Sequence, residues 1–247
     1  MNEMDRAIRD LVIANRILAR EDVVDAYGHV SVRHPTKPDH YLLSRSLSPE
    51  HVTKDDIIEF TLDGTPVGDT RPPYLERFIH GAVYEARPEV RAVVHSHAED
   101  TLPFSISRTT PLCCVAHVAS DMGTKVPVWD IADKFGDATN LLVINMAQGR
   151  DMARKLEDNT VVLMRGHGFS AAADSLLKVV RLCVYLPRNA RILLHAMRLG
   201  EFTRMSEGEI NSRHGYRSEE PAMQRAWEYW AKRAGCADML GSDPGGV

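Results

Sequence analysis

The chain has 247 residues, 44% of them hydrophobic and 26% charged, which are ordinary values for a water-soluble globular protein. Its formal net charge of −4 gives no electrostatic basis for binding nucleic acid or an anionic membrane, and no apolar run approaches the roughly 20 residues of a membrane-spanning helix. Four cysteines, with Cys113 and Cys114 adjacent, suit neither a disulfide framework nor a zinc site, and they point to a reducing cytoplasm.

The length permits one large domain or two small ones. The N-terminus, MNEMDRAIRD, lacks the apolar core of a signal peptide. Residues 5–19 place Ile8, Leu11, Val12, Asn15 and Leu18 near helical spacing and predict an amphipathic helix. In His29–Arg33, Val30 and Val32 alternate with polar residues, which predicts a strand with one apolar face. Tyr41-Leu42-Leu43 reads as a second short strand ending in Ser44-Arg45-Ser46, and Asp63-Gly64 reads as a hairpin turn. Residues 74–86 look helical and are closed by Arg87-Pro88.

Residues 91–97 (RAVVHSH) read as a strand, and so do Cys113–Ala116 and LLVIN at 141–145. Met146–Leu156 reads as a helix, and Val161–Met164 as a strand closed by Gly166-His167-Gly168. Ser175–Leu199 is helical in pattern, with Pro187 expected to kink or split it, and 221–234 is a last amphipathic helix. Strands and helices are interspersed, with hairpin-like pairs early. This predicts an α/β fold with a mixed or antiparallel central sheet and flanking helices. GSDPGGV, residues 241–247, reads as a frayed tail.

The chain holds eleven histidines, and their positions matter more than their number. His95 and His97 are two apart on a predicted strand, so both rings point to one face at its end. Read bare, such a pair is as well explained by two unrelated polar residues. His167 adds a third imidazole, flanked by glycines that let the backbone turn and a ligand approach. Three imidazoles and an open position make a catalytic metal site for Zn²⁺, Mn²⁺ or Fe²⁺. Glu76 stands near a helix start. Alone it is a solvated charge that favours the helix dipole; beside the histidines it would be an acid or base.

Three segments, Gly28-His29-Val30-Ser31, Glu76–His97 (ERFIHGAVYEARPEVRAVVHSH) and Arg165-Gly166-His167-Gly168, resemble in order and spacing the signatures of the class II aldolase/adducin family. The resemblance extends from about residue 5 to 205. It implies a three-layer class II aldolase-like α/β fold, a single domain over 1–240, and a homotetramer with active sites at subunit interfaces. It matches His95, His97 and His167 to the family's metal ligands and Glu76 to its acid/base glutamate, with one divalent ion, Mn²⁺ or Zn²⁺, per subunit.

The chain departs from the family's sugar-phosphate aldolases. His29 stands where their phosphate-binding motif has Asn, and Tyr74-Leu75 replaces a serine pair. Losing those donors argues against a phosphorylated sugar. Ser44-Arg45-Ser46 offers instead a bidentate carboxylate holder, or else a surface arginine. This run and the His117 segment resemble the subgroup of aromatic hydroxy-dicarboxylate decarboxylases, which act on 3-hydroxy-2-methylpyridine-4,5-dicarboxylate or dihydroxyphthalates.

The resemblance implies a carboxy-lyase for a small aromatic or pyridine carboxylate, with protonated Glu76 delivering a proton to the ring and His29, Ser44, Arg45, Ser46 and His117 meeting substrate. The rivals are an aldolase on a non-phosphorylated substrate and a non-catalytic adducin-like module. His80 is placed to orient Glu76 from the next turn. Tyr216, Arg217 and Tyr229 are candidates to close a neighbour's site, as C-terminal segments do in the family.

Overall fold

A computed structural model describes residues 1–214 and 219–241. Seven strands form one sheet: β1 (His29–Arg33), β2 (His40–Ser44), β3 (Ile57–Thr61), β4 (Ala92–Ser96), β5 (Val128–Trp129), β6 (Val161–Met164) and β7 (Gly168–Ala173). Their order is β3-β2-β1-β4-β7-β6-β5, and every neighbouring pair is antiparallel except β5 with β6. The helices are α1 (Glu3–Arg20), α2 (Arg77–Ala86), α3 (Leu102–Ile106), α4 (Ala132–Phe135), α5 (Met146–Leu156), α6 (Leu176–Leu199), α7 (Glu207–His214) and α8 (Glu219–Arg233). This is the α/β architecture with a mixed, mainly antiparallel sheet that the sequence pattern predicts.

Helices cover both faces of the sheet. On one side Val30, Val32 and Val94 pack into a core with Leu11 and Ile17 of α1, Val180 and Leu186 of α6, and Trp227 and Trp230 of α8. On the other, Tyr41, Val93 and Val162 pack against Ile79 and Val83 of α2 and Met152 and Leu156 of α5. β1 keeps the one apolar face that its alternation predicts, Val30 and Val32, but both faces of the strand are covered and its five residues are all buried.

The polar side of β1, His29, Ser31 and Arg33, therefore lies under α2 rather than in water. Arg33 reaches across that seam and donates to the carbonyls of Tyr84 (2.7 Å), Arg87 (3.0 Å) and Val90 (2.9 Å). A cation there satisfies carbonyls that the end of α2 leaves open and complements the helix dipole.

Other expectations also shift. LLVIN is not a strand: Leu141 takes a left-handed φ of 64°, and the segment is an irregular loop whose amides serve side chains. Cys113–Ala116 has no strand partner either. The Val115 and Ala116 amides donate to Asn189 Oδ1 at 2.9 and 3.1 Å, and Asn189 Nδ2 donates to the Cys113 carbonyl at 2.8 Å. One side chain of α6 thus does the work of a neighbouring strand.

Pro187 does not split α6, which runs unbroken from Leu176 to Leu199. Leu186, Pro187, Ala190 and Leu193 are all buried there, and packing outweighs one lost backbone bond. Among the described residues no helix is long and apolar enough to cross a membrane.

Candidate metal and active site

β4 carries His95 near its end and His97 just beyond, so period-2 alternation puts both rings on the α2 side. β6 and β7 form a hairpin whose three-residue turn, Arg165-Gly166-His167, presents the third imidazole. Gly166 supplies the left-handed φ of 65° that the turn needs.

Gly168 serves a different end from the ligand approach expected of it. A Cβ there would lie 2.1 Å from the Ser96 carbonyl oxygen, so glycine is what lets β7 close on β4 and brings His167 to His97. Gly168→Ala is expected to force these strands apart, costing about 2–4 kcal/mol of stability together with metal affinity. Thermal unfolding and metal titration of the variant check this.

The three Nε2 atoms converge: His95 to His97 is 2.9 Å and His97 to His167 is 3.0 Å. Glu76 Oε2 lies 3.4 Å from Nε2 of both His95 and His167. Glu76 stands at the N-cap position of α2, yet its side chain makes no capping bond. Its Oε1 accepts the Val143 amide at 3.0 Å, from the loop that the sequence suggested was a strand. The carboxylate is therefore fixed from behind and aimed at the imidazoles.

This donor set fits a divalent ion. Ligands at 2.0–2.1 Å in tetrahedral array stand about 3.3 Å apart, close to the spacings found. His95 Nδ1 donates to the Phe169 carbonyl at 3.0 Å, which leaves Nε2 as a lone pair. Burial, then the neighbouring His95 and His167, pushes His97 down to about 4, so its ring is neutral at pH 7. Burial works to raise the pKa of Glu76, but His95 and His167 outweigh it and hold the carboxyl well below the usual range. Glu76 is thus ionised at neutral pH.

A cleft of about 360 Å³ opens beside Glu76 and His97. His29 borders it, directly opposite His95 in the β1–β4 register, and so do Ser46 and Tyr74. The Ser-Arg-Ser run does not enter as a unit, because extended backbone alternates its side chains. Ser46 lines the cleft, and Ser44 lies buried beneath it, 3.3 Å from the Tyr74 hydroxyl. Arg45 points the opposite way and pairs with Asp56 at 2.7 Å. The expectation that Arg45 holds a substrate carboxylate in this cleft is accordingly corrected.

His117 is exposed at the start of a 3₁₀ turn and is not among the residues lining the cleft. Tyr229 is 56% exposed on α8, while Tyr216 and Arg217 lie outside the described residues. Sequence reasoning missed Tyr74, whose ring packs on His29 at 4.6 Å and whose hydroxyl donates to the Leu47 carbonyl, pinning the Ser46 loop. It also missed the Val143 amide.

His80 does not orient Glu76. Its Nε2 meets His29 Nδ1 at 2.6 Å and its Nδ1 meets Ser31 Oγ at 2.6 Å. Burial, then His95, pushes His80 down to about 3, and burial also lowers His29, followed by His80 and His95. Below the unfolded value of about 6.5 the unfolded chain takes up a proton at His80 that the folded chain refuses until about pH 3. Stability should therefore fall as pH drops below about 6.5, by about 2 kcal/mol from this group by pH 5. Urea unfolding at pH 7 and pH 5 checks this, and His80→Gln should make the fall shallower.

Comparison with known proteins agrees with this architecture. The profile of the family described as Class II Aldolase and Adducin N-terminal domain matches residues 9–194. Decarboxylase tropJ of Talaromyces stipitatus is 34% identical over 91% of this chain and 92% of its own. The 3,4-dihydroxyphthalate decarboxylase of Arthrobacter keyseri is 26% identical over 88% of this chain and 94% of its own. Among solved structures, an aldolase II superfamily protein from Pseudomonas syringae superposes with a TM-score of 0.79 at 19% identity, covering 97% of this chain and 96% of that one. The chain belongs to the class II aldolase and adducin family.

Proposed function

We propose that the protein is a divalent-metal-dependent decarboxylase of a hydroxylated aromatic or pyridine dicarboxylate, of the kind represented by 3-hydroxy-2-methylpyridine-4,5-dicarboxylate. The observation that carries this reading is Glu76 Oε2 held 3.4 Å from two converging imidazoles at the edge of a cleft. Likeness along nearly the whole chain to two decarboxylases supports the carboxy-lyase over the aldehyde-lyase. His95, His97 and His167 would hold Mn²⁺ or Zn²⁺. The ion, when bound, supplies a Lewis acid that stabilises negative charge on the ring oxygen.

The chain's own residues supply the rest. Glu76, ionised at rest, takes the proton of the ring hydroxyl and delivers it to the ring carbon that bears the departing carboxylate. The C–C bond then breaks, CO₂ leaves, and its electron pair returns through the ring to the oxygen, which is reprotonated from water. One positioned acid/base of this kind is worth roughly 10²–10⁴ in rate. His29 and Ser46 meet the carboxylate that stays, the role that Arg45 cannot fill from its position beside Asp56.

Tyr27, Leu75 and Ile144 are exposed around this region (69%, 64% and 44%), which supports a homotetramer in which a neighbouring subunit covers the cleft. Light scattering should give four times the chain mass of 27.6 kDa.

The test of function is product analysis after incubation of the metal-loaded protein with hydroxylated benzene and pyridine dicarboxylates. The expected products are CO₂ and the monocarboxylate. An aldehyde formed instead from a non-phosphorylated hydroxy acid or sugar would overturn the decarboxylase in favour of an aldolase.

A further inference from the structure

Behind the cleft, the seam between β1 and α2 buries polar side chains where sheet and helix ordinarily bury apolar ones. His29 and Ser31 share one face of β1, and His80 and Tyr84 stand one turn apart on α2. They interleave into a single chain. His29 Nδ1 to His80 Nε2 is 2.6 Å, His80 Nδ1 to Ser31 Oγ is 2.6 Å, and Ser31 Oγ to Tyr84 OH is 2.8 Å. Ser31, His80 and Tyr84 are buried completely or to within 1%, while His29 borders the cleft. The reaction described above uses none of the three buried groups.

The direction of the hydrogens follows from which order leaves no buried donor stranded. If the hydrogens run inward, from His29 Nδ1 through His80 Nδ1 and Ser31 to Tyr84, the phenolic hydrogen ends with no acceptor. Among the described residues the Tyr84 hydroxyl bonds Ser31 Oγ and the Val93 backbone; the Val93 contact lowers the phenol's pKa, so it is an N–H that donates to the phenol oxygen and gives the phenolic hydrogen no acceptor. A buried donor left in that state costs about 1–3 kcal/mol. In the reverse order Tyr84 O–H donates to Ser31 Oγ, Ser31 O–H to His80 Nδ1, and His80 Nε2–H to His29 Nδ1, so every hydrogen is accepted. His29 then keeps its own hydrogen on Nε2, the ring nitrogen left for the cleft.

We infer that Tyr84, Ser31 and His80 form a tautomer lock that holds His29 with its Nε2–H facing the substrate. The three are positioning residues. They make His29 a preset donor to a carboxylate or ring oxygen, where the other tautomer would offer a lone pair to an anion. The identity of that anion rests on the decarboxylase reading; the lock itself does not.

Long-range proton–nitrogen correlation spectra of the Zn²⁺-loaded protein labelled with ¹⁵N-histidine test the inference, with His29 assigned from its loss in His29→Gln. The wild type should show one neutral His29 tautomer, protonated at Nε2. Ser31→Ala removes one oxygen from the middle of the chain and should give a mixture of tautomers. With a turned-over substrate it should also lower kcat/KM about tenfold, the worth of about one hydrogen bond, mainly through a raised KM, because the carboxylate that His29 meets keeps its charge throughout the reaction. Ser31→Thr restores the hydroxyl and should return the single tautomer. A wild-type His29 protonated at Nδ1, or a Ser31→Ala spectrum like the wild type's, would overturn the lock. The spectra need no substrate, so the expected tautomer without CO₂ release from any candidate would count against the decarboxylase and leave the lock standing.

Discussion

Glu76→Gln is expected to leave the protein folded and metal-loaded while lowering turnover by about 10²–10⁴, the usual contribution of a positioned acid/base. The substitution keeps an oxygen that can accept the Val143 amide, so the side chain has reason to stay where it is. The three imidazoles that converge at 2.9 and 3.0 Å are untouched. What is lost is the negative charge and the ability to carry a proton between ring oxygen and ring carbon. Metal analysis beside steady-state kinetics separates the two functions. A variant that holds metal and turns over within a few-fold of wild type would remove Glu76 from the proton-transfer role.

The second large effect is expected at the histidines, where the choice of residue matters. His95 is fully buried in β4, bonded to Phe169 and packed against His29, so its removal mixes metal loss with unfolding. His97 stands just past the strand end and is partly exposed, so His97→Ala tests the ligand more cleanly. Losing a ligand should cost more metal affinity than the roughly 10–100-fold that follows loss of a ligand's hydrogen-bond partner. Activity should fall to background with it. The purified variant should hold well under one divalent ion per chain while its circular dichroism matches the wild type, and a variant that keeps both metal and activity would remove His97 from the ligand set.

Much of this site was legible because simple periodicities carry it. His95 and His97 share a face by the period of a strand, and His167 declares itself by Gly166, which lets the hairpin turn, and Gly168, which lets β7 close on β4. The same rule, applied strictly, forbids what was expected of Ser44-Arg45-Ser46. Three consecutive residues of an extended run cannot all face one cleft, and Arg45 takes the side that holds Asp56. LLVIN was misread for a different reason. Its apolar residues imitate a strand, yet Val143 is buried in the core beside α2 and α5 from an irregular loop while its amide holds Glu76, and a long-range bond to one side chain leaves no periodic trace.

His80 shows the limit of reading one element alone. Its spacing of four from Glu76 is real, but its partners are on β1, and pairing across layers shows only when the i, i+4 stripe of α2 is laid against the i, i+2 stripe of β1. Tyr74 looked like the loss of a phosphate donor. Packed on His29 and bonded to Leu47, it is a wall of the cleft.

In the proposed reaction Glu76 moves the proton that lets a hydroxylated ring lose a carboxylate, beside a divalent ion that His95, His97 and His167 would hold. Release of labelled CO₂ from a carboxyl-labelled hydroxyaryl dicarboxylate, measured on the metal-loaded protein and again after chelation, tests it most directly. The metal-loaded protein is predicted to release one CO₂ per substrate consumed, the chelated protein none, and added Mn²⁺ or Zn²⁺ to restore the reaction. Undiminished release from protein proven free of metal would contradict it.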